Sequence, residues 1–214
     1  MTDAPFNPLD KINLGRSVAE AMLERDLVPL ENLPRFNGSG IYALYYKGRL
    51  PVYAAIAKPG PEGKVTQPIY VGKAVSPGAR KGNFGVEASV GPDLWNRLRE
   101  HGESIRQTNL RISDFQCRHL VVDDIWIPLG EALLIAKFMP LWNRLIDGFG
   151  NHDPGSGRYG GLRPRWDVLH PGRGWAEKCQ QRPETAQQIE REVANYLSTA
   201  PQPDAHILNP DKDR

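Results

Sequence analysis

Two tripeptides rich in tyrosine and glycine are the first places in this chain where side chains could do chemistry. Gly-Ile-Tyr occupies residues 40–42 and Tyr-Val-Gly occupies residues 70–72, both within runs of β-forming residues. Further along, Arg97 and His101 stand four residues apart in a helical pattern. Side chains at that spacing project from one face of a helix, so we expect the two to reach one phosphate together. A single tripeptide is weak evidence and counts only in its structural context.

The elements that must position these residues follow from hydrophobic periodicity. Three strands and two helices are predicted, at residues 38–46, 67–75 and 114–122, and at 93–105 and 127–138. Glu131 stands out because the second of these helices is otherwise mostly apolar. The order ββαβα predicts a compact α/β (α+β) domain whose small three-stranded central sheet, mixed or antiparallel, is flanked by helices.

Segments outside this core are predicted to decorate a single domain, residues 1–214, with its core at about 38–146. We expect a peripheral helical arm in 1–37, a hairpin insertion in 47–67, and arginine-rich loops followed by a C-terminal helix in 147–200. The insertion is too long for a tight turn, and its prolines and glycines predict that it protrudes.

Composition excludes several classes of protein. With 40% hydrophobic and 24% charged residues, the chain is not disordered, and a net charge of +2 neither demands nor excludes a nucleic-acid partner. Cys117 and Cys179 are too few and too distant for a zinc site or a disulfide framework. No apolar run approaches the roughly 18 residues of a membrane span, so we expect a cytoplasmic protein with reduced thiols and no membrane partner.

Taken in order, the motifs resemble the GIY-YIG nuclease superfamily, and within it the type II restriction enzymes that cut the palindrome CCGCGG. The similar blocks are GIYALYY, PIYVGKAV, NRLREHG, EALLIAKFMPLWN and DGFGNHDPGSGR, which together span roughly residues 40–178. The second motif carries valine where the family name has isoleucine. The interval between Tyr42 and Tyr70 is longer than in the repair and homing enzymes, which fits the restriction branch.

This resemblance implies metal-dependent hydrolysis of a DNA phosphodiester bond. Glu131 would bind one divalent cation per active site, and Arg97 would steady the phosphate. Carboxylate oxygens are hard ligands, so Mg²⁺ is the expected ion. Tyr70 is expected to orient the phosphate or the water, and Asn143 to position the Glu131 helix or the leaving strand.

Two routes remain open for activating water. Tyr42 is a poor base near neutral pH, because a tyrosine pKa is ordinarily about 10, unless a neighbouring cation stabilises its phenolate. Lys73, which directly follows the second tripeptide, is the expected cation. His101 titrates near neutrality and could take the proton itself or relay it from Tyr42.

Recognition of a palindrome calls for a two-fold symmetric reader, so the resemblance implies a homodimer on double-stranded DNA. A DNA methyltransferase is expected as a genetic partner, not a physical one. Guanine offers two acceptors to an arginine in the major groove. We therefore expect the arginines of the C-terminal loops to contact guanine bases, namely Arg158, Arg163, Arg165 and Arg173. In the glycine-rich loop after the second tripeptide, Arg80 and Lys81 are expected to contact phosphates.

Other conspicuous side chains have structural interpretations. We expect Trp126, Trp142 and Trp166 to be core or loop anchors, because each has apolar neighbours. His152 is expected to structure its loop, since the companion histidines of an HNH metal site are missing.

Two alternative functions remain at this stage. One is a repair or recombination nuclease that recognises DNA structure, and the other is a DNA-binding module without catalysis.

Overall fold

The structure, a computed structural model, describes residues 7, 9–60, 63–76 and 91–199. Arg80 and Lys81, predicted to contact phosphates, lie outside the described residues. The strands are β1 (Val28–Pro29), β2 (Gly40–Tyr46), β3 (Tyr70–Ala74) and β4 (Phe115–Val121). The helices are α1 (Lys11–Leu23), α2 (Asp93–Arg106), α3 (Ile127–Phe138), α4 (Leu141–Arg144), α5 (Arg165–Leu169), α6 (Gly174–Glu177) and α7 (Ala186–Thr199).

The sheet is antiparallel throughout, with strand order β1-β4-β2-β3. The α/β fold and the core order ββαβα are confirmed, and the sheet has a fourth strand, which was not predicted, formed by residues of the N-terminal arm. This strand, β1, is only two residues long and pairs with Cys117 and Gln116 of β4. Pro29 has no N–H to donate, which suits it to the edge of a sheet.

The central strand β2 is buried along its whole length and separates two apolar cores. Because side chains alternate along a strand, Ile41, Ala43 and Tyr45 face one core while Tyr42 and Leu44 face the other. The first core lies under α1 and α3, and the second lies under α2 and the C-terminal segment. The burial of both faces explains why the segment GIYALYY has no polar stripe.

The N-terminal arm is part of the fold, so the prediction that it is peripheral is wrong. Its helix α1 packs on α3, where Gly15 lies against the side chains of Leu129 and Leu133. Ala19 and Met22 are fully buried against the sheet. An apolar helix face next to an apolar sheet face is stabilised by removing both from water.

The insertion at 47–67 is also more than a protrusion. A short 3-10 helix, Pro51–Tyr53, turns the chain back into the core, where Tyr53 and Ile56 are buried. Beyond it, Pro59 bridges Val65 in a small hairpin. The first half of the insertion therefore helps to close the second core.

Two of the predicted tryptophan anchors are confirmed as core residues. Trp142 and Trp166 are buried and pack edge to face, whereas Trp126 is half-buried. Among the described helices, none is long and apolar enough to cross a membrane.

Candidate active site

Strands β2 and β3 and helices α2 and α3 contribute side chains to one cleft of about 570 Å³. Five of the residues singled out from the sequence line it, namely Tyr42, Tyr70, Lys73, Arg97 and Glu131. Asp93, Asn96, Glu100 and His152 complete its polar wall. Residues that are far apart in sequence thus form a single polar surface beside the end of the sheet.

His101 lies behind this cleft instead of lining it. Its side chain projects from the same region of α2 as Arg97, but its Nε2 atom meets the Tyr42 hydroxyl at 2.5 Å, and only 1% of the residue is exposed. The expectation that Arg97 and His101 reach one phosphate together is therefore wrong in this structure. His101 contacts Tyr42, and Tyr42 contacts the cleft.

Burial holds both members of the Tyr42–His101 pair in their neutral forms. Desolvation raises the Tyr42 pKa well above its ordinary value, with the neighbouring Tyr70 as a second cause and Arg97 opposing both. Desolvation, followed by the positive charge of Arg97, lowers the His101 pKa well below its ordinary value. The ring of Phe149 stacks on His101 at 4.5 Å and keeps water from its face.

The glycine of the second tripeptide makes room for the tyrosine of the first. Gly72 pairs with Tyr42 across β2 and β3, and a Cβ atom on Gly72 would collide with the Tyr42 hydroxyl and ring. The Tyr42 side chain therefore crosses directly over Gly72 to reach the cleft. This contact is a physical reason for having the two tripeptides on adjacent strands.

Lys73 does not neutralise Tyr42 as predicted. Its Nζ atom lies 2.7 Å from the Glu131 carboxylate, and the cation that lowers the pKa of the Tyr42 phenol is Arg97. Two ion-binding groups of opposite sign, from β3 and α3, thus meet on the same wall of the cleft.

The donor set of the cleft fits a hydrated Mg²⁺ better than a fully protein-coordinated ion. Among the described residues, no three His, Cys, Asp or Glu side chains are grouped as a metal cage. Glu131 nevertheless presents hard oxygens to the cleft, and Mg²⁺ is commonly held by one or two carboxylates together with water and substrate phosphates. Lys73 competes with such a cation for the same carboxylate.

Asn143 positions β3 and does not line the cleft. Its side-chain amide accepts from Val71 N and donates to Val71 O, both at 2.8 Å. The edge of β3 that faces away from β2 is therefore paired, as an additional strand would pair it. Asn143 supports the second tripeptide, whereas the sequence analysis assigned it to the Glu131 helix or the leaving strand.

His152 is a site residue that the sequence analysis misassigned. It was expected to structure its loop, but its Nε2 atom lies 2.5 Å from Arg97 Nη1 in the cleft. The carbonyl of Gly150 accepts from Arg97 Nη2 at 2.7 Å. Its position within a block shared with the nuclease family was the available sign that this loop belongs to the site.

The predicted guanine-reading arginines differ widely in exposure. Arg158 is exposed and lines a groove of about 440 Å³ that shares His152 with the cleft. Arg163 is half-buried and donates to the Ala176 and Glu177 carbonyls, and Arg165 pairs with Glu192.

The prediction that Arg173 reads guanine is wrong. Only 1% of this residue is exposed, and its Nε and Nη2 atoms donate to the two Asp167 carboxylate oxygens at 2.7 and 2.6 Å. Trp166 and Trp175 lie against it, with ring centroids 4.6 and 4.7 Å away. A buried arginine paired in this way has no free donors for a base edge.

An antiparallel sheet with two tyrosine–glycine tripeptides on adjacent strands, and with Arg97 and Glu131 supplied by flanking helices, defines the GIY-YIG nuclease class. The family model described as the Eco29kI GIY-YIG domain matches residues 34–197, about three quarters of the chain. This protein belongs to that family of GIY-YIG restriction endonucleases. No curated protein matches the chain significantly.

Membership sets the general activity and substrate. The protein is a DNA endonuclease, and its restriction-enzyme domain implies binding of double-stranded DNA.

Proposed function

We propose that this protein is a type II restriction endonuclease that hydrolyses double-stranded DNA at a short GC-rich palindrome, CCGCGG, with Mg²⁺ and as a homodimer. The observation that carries the proposal is the cleft itself, where Tyr42, hydrogen-bonded to His101 behind it, lies beside an arginine and a carboxylate. Hydrolysis of a phosphodiester bond needs a proton acceptor, a cation that stabilises the phosphorane and a ligand for a hard metal ion, and these groups can supply all three.

The proton route runs through Tyr42 to His101. Both side chains are buried, but Tyr42 lines the cleft and His101 does not, so the Tyr42 oxygen lies between the cleft and the His101 ring. As water attacks the phosphorus, its proton moves to the Tyr42 oxygen and the phenolic proton moves to Nε2 of His101. The low pKa of His101 keeps that nitrogen unprotonated, and so available as an acceptor, across neutral pH.

The attacked phosphate is held by Arg97 and Tyr70. Both line the cleft next to Tyr42, whose ring centroid lies 6.2 Å from that of Tyr70. The guanidinium offsets the charge that grows on the phosphate oxygens as the attacking bond forms. The Tyr70 hydroxyl donates a hydrogen bond to one of those oxygens.

Glu131 is the residue that would hold Mg²⁺. When bound, the ion supplies charge neutralisation for the leaving 3′-oxygen. Lys73, which is partly exposed, would then exchange this carboxylate for a phosphate of the DNA backbone.

Base recognition is assigned first to Arg158. This arginine is exposed in the groove adjoining the cleft, so its fork of donors is open to the two guanine acceptors in the major groove. Arg163 and Arg165 would have to exchange internal partners before contacting DNA. Arg80 and Lys81 remain the predicted phosphate contacts. A methyltransferase of the same site is the expected genetic partner in the cytoplasm.

Cleavage of defined plasmids tests the proposal. The purified chain with Mg²⁺ should convert a plasmid with CCGCGG into a fixed set of fragments, and sequencing their ends gives the cut position. A plasmid in which every such site carries one altered base pair should remain intact. Nicking of both plasmids without a pattern would indicate a structure-specific nuclease, and no cleavage by the wild type would indicate a binding module.

The variant Glu131→Gln is the matched control for metal dependence. Glutamine keeps the size and helix compatibility of the residue but lacks the charge that holds a hard dication. We expect binding to the cognate duplex without cleavage of either strand, even at raised Mg²⁺, because phosphate and base contacts do not involve this residue. Mg²⁺-dependent cleavage by this variant would remove Glu131 from the metal site.

A further inference from the structure

A loop outside both tripeptides and all helices contacts two of the residues in the proposed mechanism. Residues 148–152, here named the cleft loop, bring the Phe149 ring onto His101 with an interplanar angle of 17°. The same loop gives Arg97 two hydrogen-bond acceptors, which are the Gly150 carbonyl and the His152 ring. One short segment therefore contacts both the phosphate-binding cation and the proton acceptor.

The hydrogen bond between Arg97 and His152 has a defined direction. A guanidinium group can only donate, so His152 Nε2 accepts and the ring carries its proton on Nδ1. Two of the five Arg97 donors thereby orient the side chain, and Glu100 receives a third contact at 3.2 Å. The remaining donors are left for a phosphate in the cleft.

The backbone of the cleft loop is fixed from beneath by Arg173. Its Nη1 atom donates to the Phe149 and Asn151 carbonyls at 3.1 and 3.2 Å, and its Nη2 atom donates to Gly148 O at 2.8 Å. Asp167 neutralises the guanidinium. A single buried side chain thus sets the position of three carbonyls in a segment of irregular backbone.

The loop also approaches the cleft more closely than a larger residue would allow. A Cβ atom on Gly150 would lie 2.7 Å from the Tyr70 hydroxyl and 3.3 Å from Arg97 Nη2. The Gly150 carbonyl can reach Arg97 because nothing stands between the backbone and these side chains.

We propose that the cleft loop is a positioning element of the active site, in which buried Arg173 fixes the backbone while Gly150 and His152 aim Arg97 at the scissile phosphate and Phe149 holds His101. This inference rests on the proposed nuclease function. In this proposal His152 acts through Arg97, so it is a positioning residue and not a proton donor or acceptor in the reaction. Misplacement of a reacting group by about 1 Å can slow a reaction on the order of a hundredfold.

Substitution of His152 tests the loop without disturbing the core, because this side chain is exposed. In single-turnover cleavage of the cognate duplex, His152→Ala should be about tenfold slower or more, which is the value of one lost orienting hydrogen bond. Its affinity for the duplex and its melting temperature should match those of the wild type. His152→Gln should recover most of the rate, since its side-chain oxygen can accept from Arg97.

Asp153→Asn, at the residue that directly follows the cleft loop, is the matched control. The Asp153 carboxylate accepts from Gly155 N and the Tyr159 hydroxyl, and asparagine preserves the acceptor for the backbone bond. We expect its cleavage rate to stay within about twofold of the wild type. A loss equal to that of His152→Ala would mean that general loop shape, and not the His152 acceptor, controls the rate, and would overturn the proposal.

A double-mutant cycle with Arg97→Lys separates action through Arg97 from independent action. If His152 only orients Arg97, adding His152→Ala to Arg97→Lys should cause no further loss of rate. An independent loss in both backgrounds overturns the positioning role. Wild-type protein that cleaves no DNA would defeat the proposed function, whereas wild-type cleavage with a fully active His152→Ala would defeat this inference alone.

The anchor is tested with Arg173→Lys, which keeps a charge beside Asp167 but cannot span three carbonyls. Cleavage should fall while binding of the cognate duplex is retained. If this variant does not fold, Gly150→Ala displaces the same loop with the anchor intact and should give the same loss of rate. A fully active Gly150→Ala overturns the proposed role of the loop.

Discussion

At the scale of single residues, access to the cleft distinguishes a reactive tyrosine from a structural one. The structure contains a second buried tyrosine–histidine pair, in which the Tyr53 hydroxyl lies 2.6 Å from His170 Nε2. Burial raises the Tyr53 pKa and lowers the His170 pKa to about 3, so both pairs are neutral at pH 7. Of these two tyrosines, only Tyr42 lines the cleft, and a hydroxyl beside the substrate is what the proposed chemistry requires.

The two pairs give matched variants. Tyr42→Phe should bind cognate DNA but lose most cleavage, because the ring packing survives while the proton route is broken. Tyr53→Phe removes the same hydroxyl from the core and should keep its cleavage rate. Each variant leaves a buried histidine without its partner, which costs about 1–3 kcal/mol of stability.

Single-turnover rates and urea unfolding of both variants separate catalysis from folding. Cleavage by Tyr42→Phe at near the wild-type rate would exclude Tyr42 as the acceptor of the water proton.

At the scale of elements, a chain of hydrogen bonds fastens the insertion to the C-terminal segment. Trp142 Nε1 donates to the Tyr53 hydroxyl at 3.0 Å, and this hydroxyl donates to His170 Nε2. Because Asn109 uses its amide nitrogen on the Leu169 carbonyl, its oxygen accepts from His170 Nδ1 at 2.8 Å. In this arrangement His170 Nε2 accepts and Nδ1 donates, so the hydrogen bonds fit only the neutral histidine ring.

The hydrogen bonds around neutral His170 predict that the protein loses stability in acid. The pKa of His170 is lowered to about 3 in the folded protein from an ordinary 6.5, because burial disfavours the charged ring. The unfolded state therefore binds the extra proton first, and stability that is present above pH 6.5 is lost as the pH falls toward 3. Between pH 7 and pH 5 the free energy of unfolding should fall by about 2 kcal/mol from this residue.

Urea unfolding of the wild type and His170→Gln at both pH values measures the difference. Glutamine does not titrate, so the wild type should lose about 2 kcal/mol more than the variant over this range. His101 and the carboxylates are present in both proteins, so their contributions to the pH dependence of stability cancel in the difference. Parallel stability curves would show that His170 is not held neutral.

At the scale of the whole molecule, internal ion pairs neutralise part of the positive charge of the basic segment between Arg158 and Arg182. Three of its arginines face carboxylates, in the pairs Arg165–Glu192, Arg173–Asp167 and Arg182–Glu184. A count of charges along the chain therefore overstates the positive surface that this segment offers to DNA. With a net charge of only +2, one copy has little long-range attraction for a duplex.

The proposed palindromic target predicts two-fold assembly of the protein on DNA. A palindromic duplex presents the same base edges twice, so two copies related by a two-fold axis read it with doubled contacts. Glu131→Gln mixed with a duplex containing the full site should sediment as two chains per duplex. A scrambled duplex of equal length is the control, and one chain per cognate duplex at saturation would contradict the homodimer.

The local elements and the identity of most cleft residues could be predicted from the sequence. The two tripeptides, the apolar periods and the unusual position of Glu131 in an apolar helix depend on neighbours a few residues away, and such patterns are readable without a fold. They gave the core order ββαβα and placed Tyr42, Tyr70, Arg97 and Glu131 on elements that meet in one cleft.

What only the tertiary structure decided is which distant groups meet and which are withdrawn from water. An arginine in a glycine-rich loop looks the same in sequence whether it faces DNA, as proposed for Arg158, or is buried against a carboxylate and three carbonyls, as Arg173 is. Lys73 meets Glu131 instead of Tyr42, and His152 meets Arg97, because strands and loops far apart in the chain converge there. Burial and ion pairing are properties of these long-range contacts, so residue type and spacing alone do not determine them.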